Sequence, residues 1–254
     1  MRSSLAENAE SRTTASQRGV SLIEATVILG VMSMLTAVMA PAVRTYVQGA
    51  QQAAAKKDVE AIGSALGKML VDVGEAWFAR DGNGSASTDP PSHAAANRAD
   101  LLVSDGNIPA LYSGATRSSG SPEWTAAVND TTVQKLEYYL VKNTPSNSAS
   151  NAYRSASSMS VTTQFDPDDA ATYNSPHAWR GAYLPGPIGA DPWGNRYAVN
   201  VEYLARALGT GPSGNVNDVI VLSAGTNGLI ETRYDTDGMS NGNDIFYVVS
   251  GGTR

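Results

Sequence analysis

The chain has 254 residues, with 18 Lys and Arg against 24 Asp and Glu, and its formal net charge at pH 7 is −6. This acidic balance argues against electrostatic binding to nucleic acid, so no nucleic-acid partner is expected. The chain contains no Cys, which excludes disulfides, Cys-ligated zinc and thiol catalysis. Its length accommodates one long helix and one globular domain.

An apolar run occupies residues 20–40 and contains a single charged residue, Glu24. Its 21 residues suffice for a helix that crosses a bilayer core, which takes about 20. No proline interrupts the run before Pro41, and apolar side chains occupy every side of the predicted helix. Such a helix must be buried in lipid or in protein. The run is therefore predicted to be a transmembrane segment or the core of an assembly.

Glu24 is the exception in this run. A charged residue at the centre of a membrane helix costs about 2.5 to 3.5 kcal/mol, so an intramembrane acid calls for a partner. A free α-amino group would serve. If the chain were cut after Gly19, Val20 would carry a positive amine, and the amine of a neighbouring copy would neutralise Glu24 in a helix bundle.

Gly19 followed by Val-Ser-Leu-Ile-Glu resembles the processing site of type IV prepilins and of type II secretion pseudopilins. The resemblance implies that residues 1–19 are a leader, removed after Gly19 by a prepilin peptidase, and that the new terminus at Val20 is methylated. It also implies that Glu24 guides subunit docking and that Pro41 is the helix-kinking proline of the family. Val20 stands where the family usually has Phe.

An ordinary signal peptide or a single-span anchor is the alternative. A secretory signal places its apolar region before the cleavage site, whereas here the polar residues 1–19 come first. Small residues between 37 and 42 still offer cleavage sites of the secretory type, so this alternative stays open.

The helical pattern continues beyond Pro41 and becomes amphipathic, so residues 20–79 are predicted to form one helix with a bend at Pro41. Charged residues fall on the other faces of this second half. The predicted apolar stripe consists of Val43, Tyr46, Val47, Ala50, Ala54, Ile62, Leu66, Met69, Leu70, Val73 and Trp77.

Residues 80–178 are predicted to be a variable, loop-rich surface insertion, because Ser, Ala, Asn, Thr and Pro dominate it. Two pieces of it are expected to be ordered. One is an apolar patch formed by Leu101, Leu102, Val103, Ile108 and Leu111. The other is a short helix over residues 131–142.

Residues 179–254 are predicted to form a small antiparallel sheet. Asp191-Pro192-Trp193-Gly194-Asn195 indicates a turn with an aromatic anchor, and Trp179 and Trp193 are expected to be core anchors. Strands are predicted over 197–203, 218–223 and 245–249. The expected fold class is α+β and pilin-like, with a long N-terminal helix packed on this sheet.

An acidic, glycine-containing loop over residues 235–244 precedes the last strand. Its composition fits either a calcium loop or a solvated acidic turn, because calcium takes about six to eight oxygen ligands. The order of the Trp-Arg-Gly, Asp-Pro-Trp-Gly-Asn, Ser-x-Gly-x-x-Gly and acidic segments is similar to the major pseudopilin of type II secretion. That resemblance implies calcium as a cofactor. The implied ligands are Leu222 through its carbonyl, Asn227, Asp235, Asp237, Asn243 and Asp244.

No enzymatic activity is expected, because the chain contains no nucleophile elbow, zinc motif or phosphate loop. Residues 209–214 match the dinucleotide fingerprint by letters, but they precede a strand and contain Pro212. The resemblance implies a filament subunit of a type II secretion system. Its partners would be copies of itself, other pseudopilins, the prepilin peptidase and the inner-membrane assembly platform.

The same resemblance implies a bacterial inner-membrane location with the head outside the cytoplasm, followed by a periplasmic or cell-surface filament. Two alternatives stay open. One is a type IV pilus subunit for adhesion, motility or DNA uptake. The other is a membrane-anchored enzyme or binding protein that never polymerises.

Overall fold

The computed structural model describes residues 19–73, 99–116, 123–128, 133–144, 147, 179–208, 218–235 and 242–250. The chain divides into two compact units, Met1–Val47 and Gln48–Arg254. The fold class is α+β, since a long N-terminal helix is followed by a five-stranded sheet.

Helix α1 spans Leu22–Val73, a length of 52 residues, and Pro41 lies inside it. The predicted end at residue 79 lies outside the described residues. Within the second unit, a stripe of α1 with members three or four residues apart is buried, as predicted for Ile62, Leu66, Met69, Leu70 and Val73. The buried part begins at Ala55, whereas Ala54 and the predicted stripe residues before it are exposed.

The main sheet contains strands β1 (Leu101–Val103), β3 (Val133–Lys135), β4 (Ala198–Val199), β5 (Val219–Ser223) and β7 (Ile245–Ser250), in the order β3-β1-β4-β5-β7. It is mixed, so the prediction of a purely antiparallel sheet was wrong: β4, β5 and β7 pair antiparallel, as predicted for residues 179–254, but β1 and β3 of residues 80–178 are parallel. The long connection between these two strands permits this, because parallel neighbours need a crossover of a dozen or more residues. A second, two-stranded parallel sheet joins β2 (Ala110–Leu111) to β6 (Leu229–Ile230).

Residues 80–178 therefore contribute to the main sheet as well as forming loops. The predicted apolar patch supplies β1, whose three residues are fully buried, but Ile108 is exposed. The predicted helix over 131–142 is strand β3 followed by the short helix α2 (Leu136–Leu140).

The strand predicted over 197–203 ends at Val199 and gives way to a 3-10 helix, Val201–Leu208. The strand ends here because the buried side chain of Asn200, rather than a strand backbone, makes the hydrogen bonds to the neighbouring backbone. Its Oδ1 accepts a hydrogen bond from the Ile220 amide at 2.7 Å, and its Nδ2 donates to the carbonyls of Asp218 and Tyr234 at 3.0 and 3.1 Å. The predicted strands at 218–223 and 245–249 are present as β5 and β7.

Trp124 is the fully buried tryptophan of the described core, although the sequence singled out Trp179 and Trp193, which are only partly buried. The segment around Trp124 is held by Arg196, a side chain that is 2% exposed. Its Nη2 donates to the carbonyls of Trp124 and Ala126 at 2.8 and 2.7 Å. Burial lowers the pKa of Arg196 to about 10.

Two carboxylates of α1 accept hydrogen bonds from tyrosines of the C-terminal region. Asp58 accepts from Tyr197 at 2.9 Å, and Asp72 accepts from Tyr183 at 3.1 Å. Burial raises the pKa of both hydroxyls, that of Tyr183 to about 12, so both tyrosines stay neutral donors. These bonds fix residues 183–197 against the second half of α1.

Candidate functional site

The first candidate site is the apolar segment of α1 over residues 20–47, whose described side chains are almost all exposed. Its large hydrophobic side chains are 45% to 83% exposed, with Leu22, Met34 and Val38 among the most exposed. The most apolar 18-residue window has a mean hydropathy of 2.0, so the helix is long and apolar enough to cross a membrane. A signal sequence near the N-terminus meets the same criteria of length and hydropathy.

Hydroxyl groups in this segment bond to carbonyls of their own helix. Thr26, Ser33, Thr36 and Thr45 donate to carbonyl oxygens three or four residues earlier, at 2.8 to 3.0 Å. A polar group that is satisfied within its own helix costs far less in an apolar environment than one that is not. These four hydroxyl groups are therefore compatible with burial in lipid or between apolar helices.

Glu24 is exposed and lies in the first turn of α1, five residues beyond Gly19. Carboxylates at the N-terminus of a helix are stabilised by the helix dipole by about 0.3 to 1 kcal/mol. A carboxylate at a helix end also lies closer to a membrane surface than one at the centre. The cost of placing Glu24 in an apolar layer is therefore smaller than the cost for a central residue.

The second candidate site is the C-terminal turn, by which we mean the contacts among residues 191–195, 223–232 and 242–244. Two of the sequence motifs meet there at Asp191. This buried carboxylate accepts the amides of Trp193 and Asn195 through Oδ1, at 3.0 and 2.8 Å. Its Oδ2 accepts the hydroxyl of Ser223 at 2.8 Å, and Ser223 Oγ accepts the amide of Gly225 at 3.2 Å. Asp191 thus joins the Asp-Pro-Trp-Gly-Asn turn to the Ser-x-Gly turn at the end of β5.

Asp244, a predicted calcium ligand, is 8% exposed and holds the end of β6. Its Oδ2 accepts the amides of Glu231 and Thr232 at 2.8 and 2.6 Å. Burial is the main cause that raises the pKa of Asp244, and the nearby carboxylate of Glu231 raises it further. The side-chain and backbone hydrogen bonds from Thr232 and Glu231 act in the opposite direction.

Glu231 is the acidic residue that the sequence analysis missed. Its Oε2 accepts the amide of Asn243 at 2.8 Å and the side-chain amide of Asn227 at 3.3 Å. It also packs so closely on Gly242, which has φ +69°, that a Cβ there would collide with it. No signal in the sequence marks Glu231, because it lies outside the acidic loop and contacts Asn243 and Asp244 only in the folded chain.

The structure brings together three of the six predicted calcium ligands, Asn227, Asn243 and Asp244, around Glu231. Leu222 lies within β5, paired with Ala198 on one side and Phe246 on the other. Asp235 is bound by Arg233 through contacts of 3.0 and 3.1 Å. Asp237 lies outside the described residues.

The donor set fits a calcium ion in part. Glu231 and Asp244 supply two carboxylates, and Asn227 supplies an amide oxygen that already accepts the Leu229 amide at 3.0 Å, whereas calcium takes about six to eight oxygens. Among the described residues, no group of three or more His, Cys, Asp or Glu side chains is arranged to hold a metal ion. The Arg233 guanidinium beside Asp235 further disfavours a cation at that carboxylate.

Comparison of the chain with protein-family models, with curated proteins and with solved structures gives no match. The pilin-like resemblance of the motifs therefore enters the functional argument as a proposal.

Proposed function

We propose that this chain is a filament-forming, pilin-like subunit of a type II protein secretion system. The observation that carries the proposal is the exposed apolar segment over residues 20–47, with Glu24 as its only acid. Burying one large aliphatic side chain contributes about 1.5 to 3 kcal/mol, so a segment of this size is not stable in water. It needs lipid before assembly and other protein afterwards.

Cleavage of the leader would supply the positive charge that the Glu24 carboxylate needs as a partner. Cleavage after Gly19 by a prepilin peptidase would leave the positive amine of Val20 at the start of the apolar segment. In a bundle of such helices, the amine of one copy neutralises the Glu24 carboxylate of the next. Burial of the apolar segments drives assembly, while the charge pair sets the axial position of each copy, because a buried unpaired charge is strongly unfavourable.

In this proposal the chain first spans the bacterial inner membrane, with residues 48–254 on the outer side, and then enters the filament on the assembly platform. The C-terminal turn would bind calcium through Glu231, Asp244 and Asn227. Such an ion would supply positive charge between two carboxylates and so hold the turn to the end of β5, as a disulfide does in other exported domains.

Replacement of Glu24 by Gln tests the filament function. This variant keeps the shape of the side chain and removes the charge that pairs with the amine, so we expect filament yield to fall at least about tenfold while membrane insertion is unchanged. Glu60→Gln is the matched control, because Glu60 is an exposed acid on the same helix. Normal filament assembly by Glu24→Gln would contradict the proposal and favour a membrane-anchored protein that acts as a monomer.

A type IV pilus subunit is the second candidate. The length of the 80–178 segment favours it, since a long segment displayed on a fibre suits adhesion. Two observations together would favour the pilus over the secretion filament. Cells with native expression would carry long surface filaments, and cells from which the chain is deleted would keep normal type II secretion.

A further inference from the structure

A groove lies between the second half of α1 and the loop that precedes β4. We call it the helix–loop groove; its lining consists of Asp58, Ala61 and Ile62 of α1, residues 184–190 and Tyr197. Its volume is about 500 Å³, within the range of about 300 to 1,000 Å³ in which proteins bind small ligands. It has room for a few side chains.

The walls of this groove are fixed by hydrogen bonds. The Tyr183 amide donates to the Leu140 carbonyl at 2.8 Å, and the Asp105 amide donates to the Ile188 carbonyl at 3.3 Å. The Asp191 amide donates to the Asn195 carbonyl at 2.7 Å, at the far end of the loop. A groove that is formed before binding loses little conformational entropy when it is filled.

The chemistry of the groove is apolar with one negative charge. Its lining is supplied mostly by aliphatic and proline side chains, and Asp58 is its only carboxylate. Asp58 is exposed and uses Oδ2 to accept the Tyr197 hydroxyl. Lys57 is next to Asp58 in sequence but does not belong to the lining. The matching ligand is an apolar segment that carries one cation.

Such a segment exists in the chain itself. Between residues 20 and 55 the only basic residue is Arg44, and all side chains over residues 42–47 are exposed. Val43, one residue before Arg44, and Val47, three residues after it, are 55% and 47% exposed. Arg is the cation best suited to a carboxylate at an interface, because its guanidinium is weakly hydrated and forms two parallel hydrogen bonds.

We propose that the helix–loop groove receives residues 43–47 of a second copy of this chain, with Arg44 of that copy paired to Asp58. This inference rests on the proposed filament function and identifies the surface by which one copy meets the next. The groove supplies apolar contact for Val43 and Val47, and the charge pair fixes the register.

Cysteine cross-linking in membranes tests this contact, and the chain has no native Cys to interfere. Full-length chains carrying only Val43→Cys are co-expressed with chains carrying only Ala61→Cys, so that a mixed disulfide forms only between copies. A disulfide requires Cα atoms within about 7 Å. We expect a mixed dimer from this pair and at least about fivefold less from Val43→Cys with Val71→Cys, because Val71 is exposed and lies outside the groove.

Charge reversal gives an independent measure. Arg44→Asp should reduce assembly roughly tenfold, because it places two acids together, and the double variant with Asp58→Arg should restore it to within roughly twofold. Tyr197→Phe is the control for the lost tyrosine hydrogen bond and should assemble normally. A double variant that remains defective while Tyr197→Phe assembles would overturn the inference and indicate that Arg44 binds another group, such as a lipid phosphate.

The outcomes separate this inference from the proposed function. If filaments form but the 43–61 pair gives no more dimer than the 43–71 pair, the groove is not the docking surface, and the filament function stands. If the 43–61 dimer forms and filaments do not, the docking surface is correct and the filament function is wrong. If neither forms, both are overturned.

Discussion

At the scale of single residues, two buried carboxylates organise the C-terminal region by accepting backbone amides. Asp191 closes the Asp-Pro-Trp-Gly-Asn turn, and Asp244 holds two amides at the end of β6. An unpaired buried amide costs about 1 to 3 kcal/mol, so each carboxylate has a structural role that does not depend on a metal. The sequence patterns around both residues are explained by these turns before any ligand is considered.

Asp244 also carries a predicted dependence of stability on pH. Its pKa is higher in the folded than in the unfolded chain, so the folded state binds more protons in the window between the two values. The contribution of Asp244 to the free energy of unfolding should therefore be greatest below its unfolded pKa and be lost as the pH rises through its folded pKa. A bound calcium ion favours the charged form, so it should weaken or reverse this dependence.

Substitution of Asp244 separates the turn from the metal site, with urea unfolding of the full chain in detergent as the measurement. Asp244→Asn keeps an oxygen for both amides, so without calcium we expect stability at pH 7 equal to or above that of the native chain. Asp244→Ala leaves both amides unpaired and should lose about 2 to 4 kcal/mol. Calcium should raise the midpoint for the native chain but not for Asp244→Asn.

Asp105→Asn is the control for a general effect of lost acidic charge, since Asp105 is exposed and its carboxylate pairs with Lys135 at the surface. If a chelator does not lower the midpoint of the native chain, calcium is not a cofactor. The stability of the turn then comes from Asp244 and Glu231 alone.

At the scale of elements, the second half of α1 packs on the sheet through small residues as well as large ones. Gly63 is buried against the ring of Tyr247 in β7, and a Cβ at this position would overlap that ring. Gly67, one turn further along, has no atom near the position of a Cβ. The packing on Tyr247 therefore requires a glycine at position 63 but not at position 67, although both residues lie in α1.

Alanine substitution should separate them. Gly63→Ala forces the Tyr247 ring away from the helix and should destabilise the fold by about 1 to 3 kcal/mol, as overpacked core substitutions do. Gly67→Ala meets no atom and should stabilise the helix by up to about 1 kcal/mol. Thermal or urea unfolding measures both. Equal effects of the two substitutions would show that α1 does not pack on Tyr247.

The elements that the sequence predicted well are those with long, uniform patterns. The apolar and amphipathic periodicity predicted α1, and runs of β-branched residues bounded by turns predicted β5 and β7. Strands β1 and β3 have three residues each, too short for any alternation to be recognised, so the extent of the sheet was underestimated. Asn200 could not be identified as the end of a strand, because its partners are distant in the sequence.

The candidate sites follow the same division. The apolar segment with Glu24 was predictable because its signal is local and continuous. The C-terminal turn was predictable only in part, since Glu231 joins Asn243 and Asn227 through tertiary contacts. The hydrogen bond from Arg196 to the Trp124 carbonyl is likewise a tertiary contact. Residues whose role depends on long-range contacts produce no repeating pattern in the sequence, so the sequence alone does not identify them.

At the scale of the whole molecule, the apolar segment over residues 20–47 is the surface that most needs to be covered. The described side chains of this segment are exposed, while residues 48–254 form a head with a core of their own. In the proposed function, lipid would cover the segment before assembly and sister helices would cover it in the filament, where the charge on Glu24 would pair with a positive terminus. All these steps depend on cleavage directly before Val20.

Mass spectrometry of the chain purified from its native membrane tests that claim most directly, through the intact mass and the N-terminal peptide. We expect a chain that lacks residues 1–19 and begins at Val20, with a methyl group on the terminal nitrogen. A product that retains residues 1–19, or one that begins beyond the apolar segment, would contradict it.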